Sequence, residues 1–284
     1  MADGNLAIIT GGSRGIGHVL VQSVLEDMDV LNISRGPATP VGPSSGHALH
    51  NLSVDLQHVD QIERVLEDWF EEHPEHRVQI VIHNAANLNL GWLHELSAAE
   101  VQQAFQVNVH APLTITASVL RLGRFSSTEC RVAYVVSSLG RLEPGLSFAG
   151  MGLYSVTKAA LGRLALIQAR EFEFTAPNVK VLRIHPGIVD TEMQDALRRD
   201  PRLDPAFTKK TEALPPYREG DWDERSSEER PRTVSPSFAA EFILWATRSP
   251  KVDSEGEYDF YRSKEFHAAR RRARMASARG RETA

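Results

Sequence analysis

The feature that most constrains the fold is a glycine-rich turn between a short apolar strand and an amphipathic helix. The strand is Leu6-Ala7-Ile8-Ile9-Thr10 and the turn is Gly11-Gly12-Ser13-Arg14-Gly15-Ile16-Gly17. Glycines let the backbone approach a pyrophosphate closely, and the helix N-terminus offers free N–H groups to that anion. Strand, glycine turn and helix in this order predict a dinucleotide-binding site at the start of a parallel α/β sheet.

The rest of the chain repeats the alternation of strand and helix. Apolar runs near residues 30–34, 49–54, 78–82, 132–136, 179–184 and 257–261 alternate with segments of helical periodicity. This pattern predicts one doubly wound Rossmann domain over residues 1–265, with about seven parallel strands and helices on both faces. Residues 196–234 are rich in charge and proline and are predicted to form a lid over the substrate. Residues 266–284 are predicted to be a basic, disordered tail.

Composition limits the partners and the compartment. The net charge is −5, so the bulk composition does not indicate a nucleic-acid-binding protein. No apolar run is long enough to cross a bilayer. The single cysteine, Cys130, rules out an internal disulfide, and no Cys/His spacing resembles a metal site. We therefore expect a cytoplasmic protein that binds neither nucleic acid nor membrane and that carries no metal.

A second motif points to proton transfer. Tyr154 and Lys158 are four positions apart, so on a helix their side chains share one face. A nearby ammonium favours the phenolate, so Lys158 is expected to lower the pKa of Tyr154. Ser138 follows an apolar strand and is placed to hydrogen-bond the same carbonyl or alcohol oxygen. The motif predicts acid–base chemistry at a C–O group, with hydride supplied by the dinucleotide.

The end of the second strand indicates which nicotinamide cofactor is bound. An NAD site commonly has an acidic residue there to hold the ribose 2′-hydroxyl, whereas this chain has Ser34 and Arg35. A guanidinium from Arg35, with help from Arg14, suits a 2′-phosphate. The sequence therefore favours NADP(H), although Arg35 as an ordinary surface arginine is the alternative.

Taken together, these motifs resemble the short-chain dehydrogenase/reductase family. The resemblance rests on the glycine turn, Asn84-Ala85-Ala86, Asn108, Ser138 with Tyr154 and Lys158, and Pro186-Gly187. It implies a catalytic tetrad of Asn108, Ser138, Tyr154 and Lys158, in which Asn108 holds a water in a proton relay to Lys158. The cofactor site it implies contains Gly11, Ser13, Arg14, Gly15, Ile16, Gly17, Ser34, Arg35, Asp55, Leu56, Asn84, Ala85, Tyr154, Lys158, Pro186, Gly187, Ile188, Val189 and Thr191.

Within the family, the chain is most similar to sepiapterin reductases and the related benzil reductases. The similarity lies in Asp190-Thr191-Glu192-Met193-Gln194 and in the segment from Gly256 to Tyr261. It implies that Asp259 and Met193 contact the substrate, with an exposed edge-strand acid as the alternative for Asp259. The chain departs from the family at Ala86, where glycine is usual, and in the longer loop between Ser138 and Tyr154. Ser147, within that loop, is the alternative to Ser138.

The leading hypothesis is an NADPH-dependent reductase of ketones or diketones, in which Tyr154 donates the proton. One alternative is a non-catalytic NADP(H)-binding regulator, and another is an NAD-dependent alcohol dehydrogenase. The resemblance also implies a homodimer or homotetramer acting on a small-molecule carbonyl substrate.

Overall fold

The chain folds around one parallel sheet. The computed structural model describes residues 4–41, 46–212, 214–218, 232–249 and 256–282. Seven strands form the main sheet in the order β3-β2-β1-β4-β5-β6-β9, and two short strands, β7 and β8, pair beside it. All of these pairings are parallel. The predicted doubly wound α/β class is confirmed.

The strands and helices of the structure have the following bounds. The strands are β1 (Gly4–Thr10), β2 (Asp29–Ser34), β3 (Leu49–Ser53), β4 (His76–His83), β5 (Cys130–Val135), β6 (Val179–His185), β7 (Ile188–Val189), β8 (Thr233–Val234) and β9 (Glu257–Asp259). The helices are α1 (Gly15–Val24), α2 (Val59–Glu72), α3 (Ala98–Phe105), α4 (Ala111–Arg121), α5 (Gly152–Thr175), α6 (Glu192–Arg199), α7 (Pro205–Glu212), α8 (Pro236–Arg248) and α9 (Lys264–Glu282). A π-helical turn, Gln106–His110, joins α3 to α4, and 3₁₀ turns lie at Ser138–Gly140 and Pro144–Leu146.

Two apolar cores sandwich the sheet. Alternate strand residues point to opposite faces, so Leu6 and Ile8 pack in one core while Ala7 and Ile9 pack in the other. The first core includes α2, α4 and α5, and the second includes α1 and α8. Because both faces are covered, the central strands carry buried apolar residues that point to both sides of the sheet, as is typical of a parallel sheet.

Two predicted segments differ from expectation where the structure describes them. The predicted lid contains part of α6, all of α7 and strand β8, and residues 213 and 219–231 of it lie outside the described residues. Residues 266–282 of the predicted disordered tail are helical and belong to α9. Alanine and arginine are strong helix formers, and Phe266 and His267 in the first turn of α9 are buried. None of the described helices is long and apolar enough to cross a membrane.

Candidate active site

A cleft of about 1120 Å³ opens at the carboxyl edge of the sheet. This is where a doubly wound sheet binds its ligand, because loops leave the strands there in opposite directions. Of the predicted site residues, the following line the cleft: Gly11, Ser13, Arg14, Gly15, Ile16, Ser34, Arg35, Asp55, Leu56, Asn84, Ala85, Ser138, Tyr154, Lys158, Pro186, Gly187, Ile188, Val189, Thr191, Met193 and Asp259. Gly17 and Asn108 lie behind its wall and support it.

The glycine turn has the shape that a pyrophosphate cradle requires. Gly11 and Gly15 have φ angles of 72° and 57°, which favour glycine. A Cβ on Gly17 would lie 2.1 Å from the Gly11 carbonyl oxygen, so only glycine fits where α1 meets the turn. The Asn84 amide donates to the Thr10 carbonyl oxygen at 3.1 Å and thereby ties the turn to the end of β4. These residues fit a nicotinamide dinucleotide.

Arg35 is the cation best placed for a 2′-phosphate. It is exposed at the end of β2 and lines the cleft. The Ser34 hydroxyl, in contrast, is buried and donates to the Gly36 carbonyl oxygen. Across the cleft, Arg14 Nη1 lies 2.5 Å from the Glu192 carboxylate, and both side chains are exposed. Arg14 must exchange this partner before it can serve a phosphate.

Tyr154 and Lys158 lie together on α5, one turn apart, as predicted. The Lys158 ammonium is 5.8 Å from the centre of the Tyr154 ring and donates to the Val135 carbonyl oxygen at 2.8 Å. Burial lowers the pKa of Lys158 to about 8. Burial also raises the pKa of Tyr154 to about 12, opposite to the expected lowering, because desolvation of the phenolate outweighs the other effects. Tyr154 is therefore a neutral phenol at pH 7, which is the form that donates a proton.

The two serines after β5 have different surroundings. The Ser137 side chain hydrogen-bonds Tyr154 and also accepts from the Leu139 N–H at 3.2 Å. Ser138 lines the cleft, and its hydroxyl has no hydrogen bond to the described residues. Ser147 is exposed and is not a cleft residue. Ser138 thus has a hydroxyl to offer a ligand, whereas Ser137, which sequence analysis passed over, holds Tyr154.

Asn108 is fully buried in the π-helical turn, and its amide is fully occupied. Its Nδ2 donates to the Asn87 carbonyl oxygen and to Thr157 Oγ1, both at 2.9 Å, and its Oδ1 accepts from the Asn87 N–H at 2.6 Å. Thr157 precedes Lys158 in α5. The side chain of Asn108 therefore fixes the loop after β4 against the helix that carries Lys158.

A partly buried ionic cluster lies at the substrate end of the cleft. Arg141 donates to Glu257 Oε1 at 2.6 Å and to Asp259 Oδ2 at 2.8 Å. Arg183 Nη1 and His185 Nε2 also contact Glu257, each at 2.8 Å. Hydrogen bonds with His185 and Arg141 hold the pKa of the Glu257 carboxyl far below the usual range. Asp259 is 7% exposed. The alternative of an exposed edge-strand acid is therefore wrong, because Arg141 and the end of β6 cover the carboxylate.

Two further polar side chains in the cleft were not predicted as site residues from the sequence. Gln194 is 6% exposed, and its amide has no hydrogen bond to the described residues. His185 is also buried, and its Nδ1 has no partner. A buried polar atom without a partner is unfavourable by about 1–3 kcal/mol, so such atoms indicate ligand contacts. No spacing rule singles out either residue in the sequence.

An apolar wall faces these polar groups. Leu139, Phe148 and Tyr154 pack against a small core formed by Leu90, Met151, Leu197, Leu203 and Phe207. The rings of Phe148 and Phe207 are 4.9 Å apart. The wall comes from the long loop before α5 and from α6 and α7, and part of α6 and all of α7 belong to the predicted substrate lid.

Comparison with known proteins shows which sequences and folds the chain is similar to. Residues 5–202 match the family model described as short chain dehydrogenase. Sepiapterin reductase of Bos taurus is 28% identical over 286 residues, covering 90% of this chain and 94% of that protein. Benzil reductase of Bacillus cereus is 28% identical over 207 residues, covering 69% and 80%. An uncharacterized oxidoreductase of Saccharomyces cerevisiae is 27% identical over 194 residues, and the match covers 66% of this chain and 56% of that one.

Solved structures share the fold. A short chain dehydrogenase/reductase of Saccharomyces cerevisiae superposes with a TM-score of 0.71 at 19% identity, covering 93% of this chain and 98% of that one. A short chain dehydrogenase of Burkholderia cenocepacia in complex with NADP superposes with a TM-score of 0.66 at 20% identity, covering 92% and 98%.

Proposed function

The chain belongs to the short-chain dehydrogenase/reductase family, and from that premise we propose that it is an NADPH-dependent carbonyl reductase acting on apolar ketones or diketones. The observation that carries the proposal is the placement of Tyr154, Lys158 and Ser138 in the same cleft as the glycine turn. When bound, the reduced nicotinamide supplies hydride to the carbonyl carbon.

The residues of this chain would handle the oxygen of the substrate. Ser138 donates a hydrogen bond to it, and Tyr154 donates the proton that turns the developing alkoxide into an alcohol. Ser137 holds the phenol in place. Lys158 fixes the nicotinamide ribose and, as a cation, offsets the negative charge left on Tyr154. Asn108 keeps α5 in register with the loop after β4.

The cation at Arg35 supports NADP(H) over NAD(H). The cofactor would lie with its pyrophosphate at the glycine turn and its adenosine ribose near Arg35, with Asp55 and Leu56 beside the adenine. Pro186 to Thr191 would border the nicotinamide. Glu192 would release Arg14 to the phosphates, because exposed ion pairs contribute at most about 1 kcal/mol and exchange partners readily.

The substrate end favours an apolar diketone over a pterin. A pterin presents a guanidine-like edge that suits a free carboxylate, but the Asp259 carboxylate already accepts from Arg141. The wall of Leu139, Phe148 and Phe207 suits aromatic or aliphatic groups. The Gln194 amide and Ser138 hydroxyl remain as donors for two oxygens of a diketone.

The test is NADPH oxidation with benzil, other diketones, simple ketones and sepiapterin. We expect turnover of diketones above that of sepiapterin, and Tyr154→Phe should lower kcat by at least about 100-fold while NADPH still binds. Tyr258→Phe, which removes a tyrosine hydroxyl away from the cleft, is the matched control. Full activity of Tyr154→Phe would refute the assignment. Silence across the panel with tight NADPH binding would favour a regulator.

A further inference from the structure

A histidine cluster lies at the edge of the sheet opposite the cleft. Asp29 is the first residue of β2, His50 the second of β3, and His76 the first of β4. Strand starts in a parallel sheet share one edge, and strand ends share the other. The cluster is therefore remote from Tyr154 and takes no part in the proposed reduction.

The three side chains converge on one point. One ligating atom from each of Asp29, His50 and His76 lies within 4.8 Å of the other two. His76 is 5% exposed, and its Nε2 is 3.0 Å from Asp29 Oδ2. Both His50 Nε2 and His76 Nδ1 are buried without a hydrogen-bond partner. Glu75 Oε1 is 3.1 Å from that Nδ1, but the pair lacks hydrogen-bond geometry.

The unpartnered nitrogens show that the cluster is incomplete on its own. Each buried nitrogen without a partner is unfavourable by about 1–3 kcal/mol. A neutral imidazole with a free lone pair is what a transition metal binds.

We propose that Asp29, His50 and His76 form a binding site for a divalent transition metal, with Zn²⁺ as the best match. Two imidazoles and one carboxylate are a ligand set that Zn²⁺ accepts, with water in the fourth position. Ligand atoms of a tetrahedral Zn²⁺ lie roughly 3.3 Å apart, so the three ligand atoms, which lie within 4.8 Å of one another, would draw together when the metal binds. Bound metal would link the starts of β2, β3 and β4 and stabilise the sheet.

The surroundings can support such a ligand set. The Ala48 N–H donates to Asp29 Oδ1 at 2.8 Å, which orients the carboxylate. The His73 ring centre is 5.0 Å from that of His50, and its Nδ1 donates to the Trp69 carbonyl oxygen at 2.9 Å. Hydrogen bonds of this kind orient metal ligands and set the tautomer of histidines. Because Nδ1 of His73 carries the proton in that hydrogen bond, the lone pair of the ring lies on Nε2 and points away from it.

The experiment is a Co²⁺ titration of the untagged, full-length protein after removal of metals with a chelator. We expect one Co²⁺ per chain, with the visible absorption of a tetrahedral site that added Zn²⁺ abolishes. Zn²⁺ should also raise the thermal midpoint by several degrees while leaving NADPH oxidation unchanged.

Variants tie the signal to the cluster. His50→Ala and Asp29→Asn should each weaken Co²⁺ binding at least tenfold, whereas His94→Ala, an exposed histidine outside the cluster, should not change it. Circular dichroism of the two cluster variants establishes that they fold. Absence of stoichiometric binding, or binding that survives His50→Ala unchanged, would overturn the proposal and leave an aromatic packing cluster around Trp69.

Discussion

At the scale of single residues, Lys158 joins folding and chemistry. Lys158 is 3% exposed, and its pKa falls from 10.5 to about 8 on folding. Between these two values the unfolded chain binds more protons than the folded one, so stability rises with pH across this range. At neutral pH the folded protein therefore keeps Lys158 charged although the residue is buried. The proposed role of Lys158 requires this charge.

Replacing Lys158 should reveal how much its buried charge destabilises the folded state at neutral pH. The free energy of unfolding of Lys158→Met minus that of wild type should be larger at pH 7 than at pH 9.5, by about 2 kcal/mol. The loss of the hydrogen bond to Val135 lowers both values equally, so the difference between them isolates the charge. Urea unfolding of both proteins at the two pH values measures it. A difference that does not depend on pH would contradict the lowered pKa.

The two serines should separate in kinetics. Ser138→Ala removes the hydroxyl proposed to bind the substrate oxygen, and kcat/KM should fall by roughly 100-fold. Ser137→Ala removes a hydrogen bond that lowers the pKa of Tyr154, so its effect on turnover should be near threefold. Steady-state kinetics with the best diketone decides between them. The reverse order of effects would make Ser137 the residue that orients the substrate.

At the scale of elements, the 3₁₀ turn Ser138–Gly140 rests directly on α5. A Cβ on Gly140 would lie 2.7 Å from both the Ala159 nitrogen and the Lys158 carbonyl carbon. Neither backbone atom can give way without moving the helix. The close contact between turn and helix therefore sets the distance from the serines to Tyr154.

Two glycines in the same loop give a matched test of that contact. Gly140→Ala should push the turn away from α5 and lower kcat at least tenfold, with NADPH affinity nearly unchanged. Gly145→Ala should be silent, because a Cβ there meets nothing within 4 Å and the residue has no positive φ. Kinetics and NADPH titration of both variants measure the effect. Equal activity of the two would show that the loop tolerates the shift.

The sequence predicted elements better than it predicted their contacts. The glycine turn and the Tyr154–Lys158 spacing are local patterns, and the structure contains both of them. The cluster around Arg141 is different, because Arg141 is 116 positions from Glu257. Such pairs depend on which strands become neighbours, and one sequence carries no periodic signal for that. The pKa of Tyr154 was missed for the same reason, since burial is a property of the fold.

At the scale of the whole molecule, the cleft gathers segments from most of the chain. A ligand that contacts the glycine turn, the end of β2 and α5 together should stabilise the entire fold. NADPH should therefore raise the thermal midpoint more than NADH at equal concentration. Arg35→Ala should weaken NADPH binding about tenfold and leave NADH binding unchanged, which thermal shift and fluorescence titration can measure. Equal affinities for NADPH and NADH in both wild type and Arg35→Ala would contradict the proposal that Arg35 binds the 2′-phosphate.

The position of Asp259 also has a consequence for synthesis. The cleft begins at Gly11, but its far wall needs β9, which carries Glu257 and Asp259. At roughly 5–20 residues per second, a ribosome needs on the order of ten seconds or more to travel between these points. Until β9 emerges, Arg141 and His185 lack the β9 carboxylates that they contact in the folded protein. The substrate end of the cleft therefore cannot form before β9 has been synthesised.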